Sequence, residues 1–281
     1  MISTSTRDGG VIVVASLVRS PAIYLDQDSL HDLAEPKPRR DRFLDIFKRK
    51  GTLMFSWTNV MDTAGPQGGT KEEICGFLDA LGPFWIPLEM NPYKVVRKEQ
   101  GLEPSSGTPC VSETFLKTYY PIVHGSTPTL AQVVDLVHEN RSHVLANTEH
   151  LKNQISQTIT TFRSEYIKDP SNLDRKLPPK EWDAARPATF MLRELERLIV
   201  SEAKSYVWIP NDGVDFMHAA VAGAYSDLLV LDKQWKRRIL ATAPKRLTPW
   251  VFYRNELDLF LDQFEQCEVA SACDSSDEPG V

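Results

Sequence analysis

Four aspartates in this chain fall where a parallel sheet would gather them. Asp26 ends a short apolar run, Ala22–Asp26 (AIYLD), and Asp232 ends another, Leu228–Asp232 (LLVLD). Asp62 lies six residues past Ser56, where the run Thr52–Ser56 (TLMFS) stops. Asp215 opens the alanine-rich helical segment Asp215–Tyr225, which leads into LLVLD. In an open parallel sheet, ligands bind outside the carboxyl ends of the strands, above all where strand order reverses. Carboxylates brought together there repel one another and must either protonate or take up cations. Hard oxygen donors suit Mg2+ or Mn2+, which keep waters and share phosphate oxygens. Asp26, Asp62, Asp215 and Asp232 are thus candidate metal ligands and candidate catalytic residues. A single aspartate after a strand is more often a helix cap or turn former, so the case rests on the four together.

Neighbouring residues extend the candidate site. Ser56 and Asn59 could hydrogen-bond a phosphate or a metal-bound water, with helix capping as the plainer role. Lys233, Lys236, Arg237 and Arg238 follow Asp232 directly, with Trp235 among them. Cations beside an acidic site fit a phosphate backbone, and an indole can stack on an unpaired base. The plainer alternative is a solvated helix face with Trp235 packed inward. Lys37–Arg42 (KPRRDR) and Lys48–Lys50 form a second candidate positive rim. His218, three residues after Asp215, reads as a partly buried structural histidine, and Asp28 as a first-turn helix acid.

The elements that must position these residues alternate. Strand-like runs at 22–26, 52–56 and 84–88 are separated by helical patterns at 27–34, 43–50 and 71–81, with Gly51 and Gly82 as stops. That order predicts a parallel sheet with crossover helices. Pro87 places its strand at a sheet edge or ends its pairing. Residues 101–109 read as a loop, and helical patterns at 129–167 and 184–206 as an insertion on the sheet domain, spanning about 110–206. The strand pattern resumes at 228–232 and 250–253, the latter followed by an amphipathic helix at 256–265. The expected organisation is an extension over 1–20, one α/β domain over 21–265 and a disordered tail over 266–281, which lacks apolar mass.

Composition narrows the classes. At 281 residues, with 42% hydrophobic and 25% charged side chains, the chain can bury a sizeable core, which excludes a wholly disordered or fibrous protein. A net charge of −6 gives no overall attraction for nucleic acid, although local basic patches coexist with it. The four cysteines form no CxxC pair, so reduced thiols of a cytoplasmic protein are expected rather than a zinc site or disulfide framework. The run Val11–Val18 is too short to span a bilayer as a helix and is expected to be an extension or an extra strand. No phosphate loop, dinucleotide fingerprint or nucleophile elbow is present.

The segments YLDQDSLHDLA, LMFSWTNVMD, NDGVDFMHAAVAGAYSDLLVLDKQW and WVFYRNELDLFLDQF together resemble the PIN domain family of metal-dependent nucleases. The resemblance covers roughly residues 21–90 and 207–265; the helical middle is not part of it. It implies a three-layer α/β sandwich on a parallel sheet of about five strands. It also implies an acidic pocket for one or two Mg2+ or Mn2+ ions, which activate water for attack on a phosphodiester. Asp26, Asp215 and Asp232 match the family's acids after the first strand, at the start of the alanine-rich helix and after the fourth strand. Family members usually carry Glu in the helix after the second strand, where this chain offers Asp62. The implied activity is endoribonucleolytic, with a structure-specific DNA nuclease or a non-catalytic binding module as alternatives. The implied partners are RNA ahead of DNA and a protein inhibitor of the antitoxin kind. A homodimer is kept among the expectations, and a membrane is not.

Overall fold

Successive residues of a strand face opposite sides of its sheet, and here both sides are apolar. In the computed structural model, Ile23, Leu25, Leu53, Phe55, Trp85, Leu228, Val230 and Phe252 enter one core. Ala22, Tyr24, Met54, Ile86, Leu88, Leu229, Leu231 and Val251 enter another on the opposite side. Strands buried on both faces read as continuous apolar runs, as parallel sheets covered by helices do. The structure describes residues 2–7, 11–16, 18–35, 38–63, 70–105, 107–119, 130–242 and 250–267; side chains are described for these except 2–7, 11–16, 61–63, 70–71, 117–119, 130 and 143.

Strands β1 (Ile2–Arg7) and β2 (Val11–Ser16) pair as an antiparallel hairpin, so the extra strand expected near the amino end forms in a sheet of its own. The main sheet contains β3 (Ala22–Leu25), β4 (Thr52–Ser56), β5 (Trp85–Leu88), β6 (Leu228–Val230) and β7 (Trp250–Phe252). Its order is β5-β4-β3-β6-β7, and every pairing is parallel. Strand order therefore reverses between β3 and β6. The helices are α1 (Gln27–Ala34), α2 (Pro38–Arg49), α3 (Trp57–Thr63), α4 (Thr70–Ala80), α5 (Pro92–Glu99), α6 (Glu113–Tyr119), α7 (Leu130–Glu139), α8 (Arg141–Lys168), α9 (Asn172–Lys176), α10 (Pro187–Ser201), α11 (Asp212–Tyr225), α12 (Lys233–Thr242) and α13 (Leu257–Gln266).

The first core takes side chains from α1, α2, α4, α7 and α13, and the second from α5, α8, α10, α11 and α12. The helical middle is thus divided between the layers: Val133, Val134 and Val137 of α7 pack in the first, and Met191, Leu195 and Ile199 of α10 in the second. The helical pattern read over 129–167 is broken at Asn140, whose Nδ2 donates to Leu136 O at 2.9 Å. An asparagine offers the backbone such local partners, which disfavours continuing the helix through it. Residues 38–42, which lie before the helical pattern expected over 43–50, are helical because Pro38 opens α2, where its fixed φ and missing N–H are tolerated. Pro87 does lie in an edge strand, and the outer side of β5 is partly covered by an antiparallel bridge between Leu88 and Val111. Among the described residues no helix is long and apolar enough to cross a membrane. Residues 64–69 and most of the expected tail, 268–281, lie outside the described residues.

Gly51 joins α2 to β4 with φ +97°, a conformation that L side chains avoid. A Cβ there would meet Phe264 Cζ at 3.1 Å and Ile23 Cδ1 at 3.3 Å. Gly51→Ala is expected to cost about 1–3 kcal/mol from the backbone strain and the crowded core. A Tm drop of several degrees in thermal unfolding would register it, and an unchanged Tm would refute it.

Candidate functional site

Where β3 ends, the Asp26 N–H donates to Val230 O at 3.0 Å, carrying the β3–β6 ladder one residue past the strand. Asp26 then caps α1, its Oδ1 accepting from the Ser29 N–H at 3.0 Å. Asp232 does the same after β6, its Oδ1 accepting from the N–H groups of Gln234 and Trp235 at 2.7 and 2.9 Å to open α12. Each cap satisfies helix N–H groups that lack an internal partner. Asp26 and Asp232 thus follow adjacent strands at the point of order reversal, the crevice where open α/β sheets bind ligands. Asp215 reaches the same edge from the first turn of α11, and its carboxylate accepts a hydrogen bond from the side chain of Trp235.

The three carboxylates sense one another. Burial pushes the Asp26 carboxyl up to about 6, against the Ser29 hydrogen bonding that lowers it, with Asp28 and Asp232 adding repulsion. Burial likewise pushes Asp215 up to about 7, with repulsion from Asp232, Asp212 and Asp26 outweighing the Trp235 hydrogen bond. Asp232 itself is exposed. Asp212 adds charge but no free face, since its oxygens accept from the Tyr206 hydroxyl at 2.6 Å and the Ile209 N–H at 2.7 Å. Asp62 lies in α3, with its side chain outside the described residues. Among the described residues, no three His, Cys, Asp or Glu side chains stand in a geometry that could hold a metal ion.

Two expected phosphate ligands are corrected. Ser56 and Asn59 are 0% and 1% exposed, which leaves neither free to meet a substrate. The Ser56 hydroxyl and N–H both donate to Asn59 Oδ1, at 2.7 and 3.0 Å. Asn59 Nδ2 donates to Leu25 O at 3.4 Å, and the Ser56 hydroxyl also lies 2.8 Å from that of Thr58. The Thr58 hydroxyl in turn bonds His218 Nε2. Burial depresses His218 to about 3, so the ring is neutral. This network braces the ends of β3 and β4 against α11, three residues from Asp215. The structural reading of His218 holds. A threonine two residues after a strand carries no distinguishing pattern in the sequence, so the part played by Thr58 is legible only in the fold.

The basic residues divide. Trp235 is 1% exposed and packs 6.2 Å from Phe216, centroid to centroid, so it cannot stack on a base; it positions Asp215 instead. Lys236 is ion-paired to Glu256. Lys233 and Arg237 are exposed on α12. Arg238, read as one more surface cation, is buried. The other positive rim is partly compensated: Arg39 pairs with Asp258 at 2.5 Å, and Arg42 with Asp262 and Glu265 at 2.8 and 2.7 Å.

Two measurements check this reading. Asp215 has its carboxyl raised from 3.8 to about 7, so the folded state holds the proton more tightly than the unfolded one, and stability is lost as pH rises from about 4 through 7. Asp215→Asn, which keeps an acceptor for Trp235, is therefore expected to raise the metal-free Tm at pH 8 by at least a few degrees, the equivalent of about 1 kcal/mol or more. At pH 4 it should leave the Tm unchanged, and an equal effect at both pH values would refute the shift. Ser56→Ala strips partners from a buried network and is expected to cost about 1–3 kcal/mol in urea unfolding.

Comparison with protein-family models, with curated proteins and with solved structures gives no match.

Proposed function

We propose that this chain is a Mg2+- or Mn2+-dependent nuclease with a PIN-like fold, acting on RNA as an endoribonuclease. The observation that carries the reading is the gathering of Asp26, Asp215 and Asp232 at the reversal of strand order, with two of the three carboxyls forced above their ordinary range by burial and mutual repulsion. Such a set favours a cation over three separate charges. Mg2+ demands few protein ligands, because it keeps several waters and is held by one or two carboxylates plus substrate phosphates. Asp26 and Asp215 are the half-buried pair that would hold it, with Asp232 exposed beside them and Asp62 as the fourth candidate on α3.

When bound, the ion would activate water for attack on a phosphodiester and offset charge on the leaving oxygen. The chain's own part is to present ionised carboxylates in fixed positions. The α1 and α12 caps hold one oxygen each of Asp26 and Asp232, and the Trp235 side chain orients Asp215. Binding requires Asp26 and Asp215 to give up protons they hold up to about pH 6 and 7, so apparent cation affinity is expected to climb across that interval. RNA is preferred to DNA on the resemblance alone, and a protein inhibitor belongs to the same expectation.

The decisive experiment is cleavage of a mixed-sequence RNA pool with Mn2+ or Mg2+, run beside single-stranded and flapped DNA. Asp26→Asn, Asp215→Asn and Asp232→Asn should each lower the rate by about 100-fold or more while remaining folded. Cleavage of DNA alone would move the assignment to a DNA nuclease. No cleavage of either polymer, with no calorimetric Mn2+ binding at pH 8, would leave a binding module in place of an enzyme.

A further inference from the structure

One wall of a cleft of about 490 Å3 is the beginning of α12, with Lys233, Gln234, Arg237 and Arg238; the other is the segment 202–206 that ends the helical middle, with Glu202, Ser205 and Tyr206. The α12 residues share one stripe, since positions three and four apart on a helix are neighbours. Three cations and one carboxylate line the cleft, so its sign is positive. Arg237 is 84% exposed, and its Nη2 lies 3.7 Å from Glu202 Oε1, outside hydrogen-bond range.

Arg238 is the unusual member. It is 1% exposed, with its guanidinium carbon 4.4 Å from the Tyr206 ring centroid and 4.6 Å from that of Trp235. Nε and Nη2 both donate to Glu202 Oε2, at 3.1 and 2.8 Å, which fixes the plane of the fork. Nη1 is buried and meets no acceptor at hydrogen-bond geometry, with the Tyr206 side chain as a further, weaker partner of the guanidinium. Buried donors left short of a full acceptor are uncommon and destabilising in native folds. Arginine's planar fork suits oxyanions above other acceptors. The backbone of α12 is not the source of attraction, because Asp232 already takes the N–H groups of Gln234 and Trp235. The side chains are.

We propose that this cleft binds a backbone phosphate of single-stranded RNA, next along the strand from the phosphodiester addressed by the aspartates. The assignment rests on the nuclease reading for its choice of polymer. It follows from the connection between the sites: Asp232 opens the helix that carries Arg237, about 7.5 Å further along the axis at 1.5 Å per residue. The helical middle thereby gains a role in holding substrate, through Glu202 and its grip on Arg238.

The test is fluorescence anisotropy of a labelled oligouridylate with the full chain in EDTA, which suppresses cleavage, across a series of salt concentrations. Both cations in Lys233→Ala/Arg237→Ala are exposed, so the double variant should fold. It is expected to bind at least about tenfold more weakly, with the salt slope flattened by about 0.7, the value for one single-strand phosphate no longer neutralised. Ser205→Asp, which puts a carboxylate in the cleft and leaves the α12 cations and the aspartates intact, should weaken binding similarly. Unchanged affinity and slope in both variants, or no RNA binding by the wild type, overturns the proposal. Displacement of the RNA by inorganic phosphate as effectively as by unlabelled RNA, at matched ionic strength, would make this a free-phosphate site and overturn it equally. Weakened binding in the variants of a wild type that cleaves no RNA would uphold the cleft while the nuclease reading fell. Intact cleavage with unchanged binding would do the reverse.

Discussion

The hydrogen bond from the Asp26 N–H to Val230 O carries the central pairing of the sheet past the point where the side chains change from apolar to acidic. Before it, Tyr24 and Leu25 lie beside Leu229 and Val230 in a parallel ladder. After it the two chains separate, one into α1 and the other into α12. A carboxylate stands near each parting. Neither strand can slide along the other without turning its buried side chains to the opposite face, so the spacing of the two acids is fixed by the core and not by the acids. That lets the fold hold like charges close together against their repulsion. Apolar burial on both faces of the sheet stabilises the arrangement, and the Asp26 carboxyl responds by holding its proton.

The rest of the site elaborates this constraint. Asp26 and Asp232 each give one oxygen to a helix N-terminus, where the positive end of the helix dipole partly offsets their charge. Asp215 has a hydrogen bond from Trp235, whose ring is wedged against Phe216 and the Arg238 guanidinium. Residues that look from their chemistry like substrate ligands turn out to be the frame. Ser56, Asn59 and Thr58 stitch the β4 exit to β3 and to α11 through a neutral histidine. A polar network of this kind, satisfied within itself, makes a buried region rigid and specific.

Much of this was readable in the chain, for identifiable reasons. The runs AIYL, LMF and LLV are apolar because both faces of the sheet are covered, and they announce a parallel core. The aspartates after AIYL and LLVL are visible because the change from apolar to acidic is abrupt. Gly51 and Pro87 could be placed because each has a backbone constraint of its own. The sequence does not show which way a side chain on an amphipathic helix turns. On α12, Trp235 and Arg238 point inward while Lys233 and Arg237 point outward, and the choice is made by Phe216, Tyr206 and Glu202, which lie far away in the chain. The break at Asn140 was hidden by apolar residues that continue in register on both sides of it. The division of the helical middle between two layers has no local signature at all.

That division has a consequence for how the molecule comes into being. The tie between Ala22 and Asp227 spans 205 positions of chain, and everything from β4 to α11 is interposed between the two halves of the acidic edge. No nascent chain that stops short of Asp232 can bring the three carboxylates together, however well its amino-terminal half has condensed. Loop closure over such a separation is slow compared with local helix formation. The charged edge is thus among the last features to assemble, and a chain cut short of Asp232 lacks both that carboxylate and the core side chains of α12, β7 and α13.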